Sequence, residues 1–234
     1  MGVFENLVDK TKWRFPGFRF SWEIYTDIIL ENIADKPYWL DIGAGSNILI
    51  EEQPGAEFSV GLDILRHPEL HVDHKTGAYV IADSGKLPLK NNSFNFITSR
   101  YTFEHLKNPG ITLNEIFRVL KPGGTLAAQT TNKKNPLVLL ARLIPFRIKK
   151  ALLKRIFENT PSGTFKTYYR MNTPHTIESN PGSLRLHEII LVEDLLCQSR
   201  LLYSISLSIF RIIDKFHLGS FKNNIIVIYK KPEN

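Results

Sequence analysis

The sequence predicts an α/β protein: one domain built on a doubly wound, mostly parallel sheet with helices on both faces. Three observations predict it. From Tyr38 onward, short apolar runs of strand length alternate with stretches of helical periodicity, the pattern of successive β-α-β units. The first apolar run empties into Asp-Ile-Gly-Ala-Gly at positions 41–45, where glycines allow a tight turn and the close approach of a ligand to the backbone. Later runs close on Asp63 and Asp83, and the carboxyl ends of parallel strands are where such sheets hold their ligands.

Bulk properties agree with a globular chain. Of 234 residues, 43% are apolar, enough for one sizeable core. Charged residues make up 23%, which argues against global disorder. The single cysteine, Cys197, excludes an internal disulfide and a cysteine-based zinc site, and fits a reducing compartment. The N-terminal MGVFENLVDKTKWRF mixes charges early and has no signal-peptide core. Gly2 begins a myristoylation pattern that fails at Asn6. No apolar run approaches the roughly 20 residues of a membrane span, so a cytoplasmic protein is expected. The net charge of +7 is concentrated: Lys133, Lys134, Arg142, Arg147, Lys149, Lys150, Lys154 and Arg155 come without an intervening acid and exceed the whole net charge. Any anionic partner is met there.

In chain order, residues 1–36 form a helical N-terminal cap, with Trp22, Tyr25, Ile28, Ile29 and Ile33 near helical spacing until Pro37 stops the helix. The core, 37–131, holds strands at Tyr38–Ile42, Phe58–Asp63, Tyr79–Ala82, Phe94–Ser99 and Thr125–Gln129. A helix from about Thr112 to Leu120 precedes the fifth strand and ends at a Lys-Pro-Gly-Gly turn. Residues 132–183 break the rhythm and read as an insertion or lid. Residues 184–234 complete the sheet, with a helix near Leu184–Leu196, a strand near Leu201–Ser206 and another at Asn224–Tyr229.

The turn Asp41-Ile42-Gly43-Ala44-Gly45-Ser46-Asn47 carries the strongest functional signal. A nicotinamide-binding loop would look similar, but its fingerprint wants a third glycine where this chain has Ile48, and it lacks the acidic residue here at Asp41. A carboxylate at Asp63 can accept both hydroxyls of a ribose. One at Asp83, followed by Ser84, can accept from an adenine amino group. Each Asp alone is more often a turn or helix cap; three in order, each closing a strand, favour the ligand reading.

These pieces, LDIGAGSN, VGLD, ADSGKLPL, NNSFNFITSRYTFEHL and NEIFRVLKPGG, together resemble class I methyltransferases that use S-adenosylmethionine (SAM). The resemblance is to the type 11 family, which includes quinone C-methyltransferases. It covers Tyr38 to about Ala128. It implies a Rossmann-like, seven-stranded sheet with an antiparallel last strand, for which Asn224–Tyr229 is the candidate. It also implies that Asp41, Gly43, Ala44 and Gly45 line the methionine end of SAM. Asp63 and Ile64 would lie by the ribose, Asp83 and Ser84 by the adenine, and Ser99 near the cofactor's amino-acid end. Asn47 stands where the family usually has another glycine; Asn tolerates a left-handed backbone, so the loop is expected intact.

Weaker candidates have bland competitors. His105 could serve as a general base, although a structural or pocket-lining role is favoured. His67, His71 and His74 with Asp73 lack a frame for a metal, so a solvated loop is expected and no metal. Tyr168, Tyr169, Arg170 and His175 could cap the pocket or simply pack. Trp13, Trp22 and Tyr25 could close over a cofactor, but helix packing is favoured. The basic segment 133–157, interleaved with Leu, Ile and Phe, could meet an anionic membrane or an anionic substrate; Pro136 and Pro145 divide it.

The chain lacks an Asp/Asn-Pro-Pro-Tyr/Phe tetrapeptide for exocyclic nitrogens of nucleobases, and Cys197 is misplaced for cytosine C5 chemistry. The expected acceptor is a small or lipid-linked molecule methylated on oxygen or carbon, with nucleic acid disfavoured. The alternatives are a non-catalytic SAM- or nucleic-acid-binding module and an NAD(P)-dependent oxidoreductase, the latter opposed by Ile48 and by the lack of a Tyr-x-x-x-Lys pair.

Overall fold

The computed structural model describes residues 2–35, 37–67, 70, 77–143 and 165–233. Seven strands form one sheet: β1 (Tyr38–Ile42), β2 (Phe58–Asp63), β3 (Gly77–Ile81), β4 (Phe94–Arg100), β5 (Leu120–Thr131), β6 (Arg185–Val192) and β7 (Asn224–Lys230). Their spatial order is β3-β2-β1-β4-β5-β7-β6. The first five are parallel, and β7 runs antiparallel to both β5 and β6. The chain reverses direction across the sheet between β1 and β4, which creates the crevice where ligands of such sheets bind.

Helices cover both faces. They are α1 (Val3–Arg14), α2 (Ser21–Ile33), α3 (Ile48–Glu52), α4 (Pro109–Val119), α5 (Pro136–Leu143), α6 (Pro174–Glu178) and α7 (Arg200–Lys215). On one face, Tyr25, Ile28, Ile29 and Ile33 of α2 pack with Trp39, Phe96, Ala127 and Ile226 of the sheet. On the other, Leu113, Ile116 and Val119 of α4 join Leu40, Leu62, Ile97 and Tyr229, with Ile177 of α6. A smaller cluster joins α1 to α7 through Leu7, Val8, Tyr203 and Leu207, and it buries Cys197. The N-terminal cap is therefore two helices with separate duties, split at Pro16 and Gly17.

Two expected elements are exchanged. Leu184–Leu196, expected as a helix, contains β6, and Leu201–Ser206, expected as a strand, lies inside α7. The first segment carries the run Ile189-Ile190-Leu191-Val192, β-branched at three of its four positions, which pairs with Val227–Asn224 of β7. In the second, the six-residue window alternates by chance. Over the full helix Tyr203, Ser206, Leu207 and Ile213 are buried at helical spacing, and the Ser199 hydroxyl caps it by accepting from Leu202 N–H at 3.3 Å. The Lys-Pro-Gly-Gly turn lies within the span of β5, which begins at Leu120 directly after α4. A register shift opposite Phe94–Phe96 absorbs it. Gly123 takes φ +76, and a Cβ on Gly124 would stand 2.8 Å from Lys121 O. Among the described residues no helix is long and apolar enough to cross a membrane.

Candidate functional site

The glycine loop is clamped from three sides. Gly43 takes φ +79 and Gly45 φ +56, and their turn is sealed to β2 by Gly43 N–H and Ala44 N–H donating to Leu62 O at 2.7 and 3.0 Å. Asn47, at φ +72, opens α3 in the left-handed conformation that its side chain tolerates. A Cβ on Gly43 would run into Thr102 Oγ1, so this position must lack a side chain. Tyr79 reaches across from β3 and donates its hydroxyl to Gly45 O at 2.6 Å.

Asp63 closes β2 beside this loop. Its Oδ2 accepts from Gly45 N–H at 3.0 Å and its Oδ1 from Leu65 N–H at 3.1 Å. Each carboxylate oxygen has two lone pairs, so each retains a position for a hydroxyl of a ligand. His67 lies with Nε2 3.8 Å from Asp63 Oδ2, its side chain only 18% exposed, which corrects the solvated-loop expectation for this residue. His71, Asp73 and His74 lie outside the described residues. Among the described residues no group of three potential ligands is placed to hold a metal.

Asp41 sits beneath the loop. It is 3% exposed and accepts from Thr98 Oγ1 at 2.6 Å, and that hydroxyl in turn accepts from Trp39 Nε1–H at 2.8 Å. Burial pushes its carboxyl up to about 6, against the opposing pull of the Thr98 hydrogen bond and of Arg100. Ser99 is fully buried. Its N–H donates to the Tyr25 hydroxyl at 3.2 Å, which donates onward to Ala127 O at 2.9 Å. Burial raises the Tyr25 phenol far above its ordinary range.

A cavity of about 790 Å³ opens over the ends of β1 to β4, within the size range of small-molecule and cofactor sites. Of the residues singled out from the sequence, Gly43, Asp63, Ile64, Asp83, Ser84, His105 and Tyr168 line it, and the structure brings them together, whereas Tyr169, Arg170 and His175 are not among its lining. Asp41, Ala44, Gly45 and Ser99 do not line it; they build the layer beneath and beside it. At one end Asp83 Oδ1 caps its own turn by accepting from Gly85 N–H at 2.7 Å, and Ser84 Oγ lies 3.2 Å from Thr112 Oγ1. Ile64 and Ile111, each 52% exposed, present apolar surface at the cavity wall. At the other end stand Arg100, Thr102, His105 and Lys107, with Phe165 and Tyr168 from the insertion.

The tryptophans at the N-terminus stay away from this space. Trp13 is 85% exposed, Trp22 stacks on Phe20 at 5.9 Å, and Tyr25 lies in the core. Among the residues that line the cavity, Arg100, Thr102 and Ile111 had escaped the sequence reading, as had Tyr79, which braces the loop. The signal for Arg100 and Thr102 was present: Arg100 ends β4 and Thr102 follows it, as Asp63 ends β2 and Asp83 follows β3.

The donor set suits SAM. A cradle without side chains, a buried acid below it, and carboxylates at two successive strand ends fit a cationic amino-acid moiety joined to a ribose and an adenine. Comparison with known proteins agrees. Residues 40–128 match the family described as methyltransferase domain. A demethylmenaquinone methyltransferase of Chlamydia trachomatis is 35% identical over 137 residues, covering 54% of this chain and 58% of that protein. The chain spans 51% or less of two other curated methyltransferases that it matches. A SAM-dependent methyltransferase from Mesorhizobium loti superposes with a TM-score of 0.59 at 14% identity, over 88% of this chain and 95% of that one. The N-methyltransferase NodS of Bradyrhizobium japonicum, solved with S-adenosyl-L-homocysteine, does so with a TM-score of 0.53 at 11% identity over 100% of both chains. The protein has the fold of the class I SAM-dependent methyltransferases. Residues 40–128, which match the methyltransferase domain, contain the glycine loop and both strand-end acids of the cavity.

Proposed function

We propose that the protein transfers the methyl group of SAM to an oxygen or carbon atom of a small-molecule or lipid-linked acceptor. The observation that carries this is a cavity of about 790 Å³ that spans the strand ends from the loop after β3 to the loop after β4. Its lining includes Asp83 and Ser84 after β3, Asp63 and Gly43 at the ends of β2 and β1, and Arg100, His105, Phe165 and Tyr168 on the β4 side. Cofactor and acceptor can therefore meet in one space.

In this reading Asp63 takes the ribose hydroxyls on its free lone pairs, and Asp83 and Ser84 edge the adenine between Ile64 and Ile111. Gly43 to Gly45 lie against the amino-acid end, with the Asp41 charge beneath and Ser99 behind. Bound SAM supplies a methyl on a sulfonium, ready for in-line displacement. The protein's own part is to align the acceptor within about 3–3.5 Å along the carbon–sulfur axis and to keep that region dry. The Chlamydia relative is named for demethylmenaquinone, which supports a lipid-linked acceptor. So does helix α5, where Leu139, Leu140 and Leu143 are exposed beside Arg142. That surface continues the proposed contact of segment 133–157 with anionic membrane, of which residues 144–157 lie outside the described residues.

Calorimetry with SAM, S-adenosylhomocysteine and NAD tests the reading. Binding of the first two in the micromolar range with none of NAD is expected; binding of NAD alone overturns it in favour of an oxidoreductase.

A further inference from the structure

The neighbours of His105 select one tautomer of its neutral ring. His105 ends a short 3₁₀ turn, Phe103–His105, with its N–H donating to Thr102 O at 2.9 Å. Thr102 in turn touches the glycine loop, its hydroxyl donating to Ile42 O at 3.3 Å. His105 therefore stands at the Gly43 end of the cavity, away from Asp83 and Ser84. Its Nδ1 lies 3.1 Å from Lys166 O, and its ring meets Phe165 edge to face at 5.9 Å. A carbonyl oxygen only accepts, so Nδ1 carries the hydrogen. In a neutral imidazole this leaves Nε2 with a lone pair. Among the described residues Nε2 makes no hydrogen bond.

The strap that supplies Lys166 is itself fixed by the preceding residue. Glu104 O accepts from Tyr168 N–H at 2.7 Å and from Tyr169 N–H at 3.2 Å. The Glu104 carboxylate is buried and accepts from the Thr130 and Thr131 hydroxyls at 2.7 and 3.2 Å. Turning the ring over would cost the Lys166 bond.

Resting on the methyl-transfer reading, we propose that His105 is the general base for an acceptor bearing an acidic hydroxyl, a phenol or an enol, with Lys166 O as the group that sets its tautomer. The acceptor's O–H bond breaks and its proton passes to Nε2. The oxygen's electron pair forms the bond to the methyl carbon, and the carbon–sulfur bond breaks with its pair going to sulfur. The sulfonium charge disappears as the imidazolium charge appears, so the site's net charge is unchanged. Arg100 and Lys107 line the same cavity. Among the described residues neither has a carboxylate within ion-pair distance, which leaves both to favour the developing oxygen anion.

Two measurements test this on the whole protein. Long-range proton–nitrogen correlation of the 15N-labelled chain with S-adenosylhomocysteine should show Nδ1 protonated and Nε2 bare at His105; the opposite tautomer overturns the proposal. In the second, transfer of radiolabelled methyl from SAM is followed across a panel of simple phenols and enols and their amine analogues. His105→Asn presents a side-chain N–H in place of Nδ1–H and has no base. It should lower kcat on the hydroxyl acceptors about 10²- to 10⁴-fold, with KM, homocysteine-product binding and amide-exchange protection of 166–170 close to wild type. An unchanged kcat in His105→Asn, or label going to amines in preference to hydroxyls, overturns it. Failure of the wild type to bind S-adenosylhomocysteine at all would instead sink the methyl-transfer reading.

Discussion

Asp41→Asn measures directly what the protein spends on its buried acid. The carboxyl is pushed from 3.8 up to about 6, chiefly by desolvation. Between those values the folded chain holds a proton that the unfolded chain has already released, so stability falls as pH rises through this window. One unit corresponds to about 1.36 kcal/mol, which makes the full penalty roughly 3 kcal/mol and the part incurred between pH 4 and 7 about 2 kcal/mol. Asn keeps an acceptor for Thr98 Oγ1 and removes the charge. Urea unfolding of wild type and variant at pH 4, 5, 6 and 7 cancels the remaining titratable groups in the difference. The wild type should lose about 2 kcal/mol relative to the variant over that range. Parallel curves would refute the reasoning, because an acid without a desolvation penalty would leave no pH-dependent gap. A cationic ligand above the loop should offset the same penalty. SAM affinity of the wild type should then weaken up to about tenfold from pH 7 to pH 5, and that of Asp41→Asn should stay flat.

Other perturbations address the frame and the surface. Asp63→Ala should weaken SAM by about 10- to 150-fold by calorimetry, with a small loss of melting temperature because Gly45 N–H and Leu65 N–H lose their acceptor. Gly43→Ala should destabilise by about 1–3 kcal/mol in urea melts, from its φ of +79 and the collision with Thr102; adding Thr102→Ala should restore part of that. Cys197, 1% exposed with its thiol pushed up to about 11, should resist a thiol reagent in the native protein and react on unfolding. Co-sedimentation with vesicles containing acidic lipid should be seen at low salt and lost with neutral lipid; Lys149, Lys150, Lys154 and Arg155 changed together to Gln should reduce it, at about 1 kcal/mol per cation before screening.

The parallel half of the fold was legible because its strands are short apolar runs punctuated by glycine and acid, and local chemistry decides them. Asp41, Gly43, Asp63 and Asp83 sit where that punctuation put them. In the last third β7 was legible at Asn224–Tyr229, while β6 and α7 were exchanged. β6 and α7 are both apolar and lightly charged, and which one joins the sheet depends on pairing with β7, a long-range contact that no short window contains. In the site, strand-end position found the acids but not Arg100 or Tyr79, whose roles depend on which way a side chain faces. His105 shows the limit most clearly. Its type and position were visible, but the carbonyl that sets its tautomer lies on Lys166, across an insertion whose path the sequence does not disclose.

The placement of β7 also orders the assembly of the molecule. Strand β5 is an interior strand of the sheet, yet the partner on its far side is Asn224–Lys230, pairing Thr125 with Lys230. Until that stretch has been synthesised, β5 presents an open row of backbone donors and acceptors, and β6 has no strand beside it. Such an edge is a template for pairing with another chain, and closing it requires one of the longest loops in the fold to be paid off at the end. A nascent or shortened chain lacking β7 would thus carry the whole glycine loop and both strand-end acids, and still be a sticky, half-closed sheet.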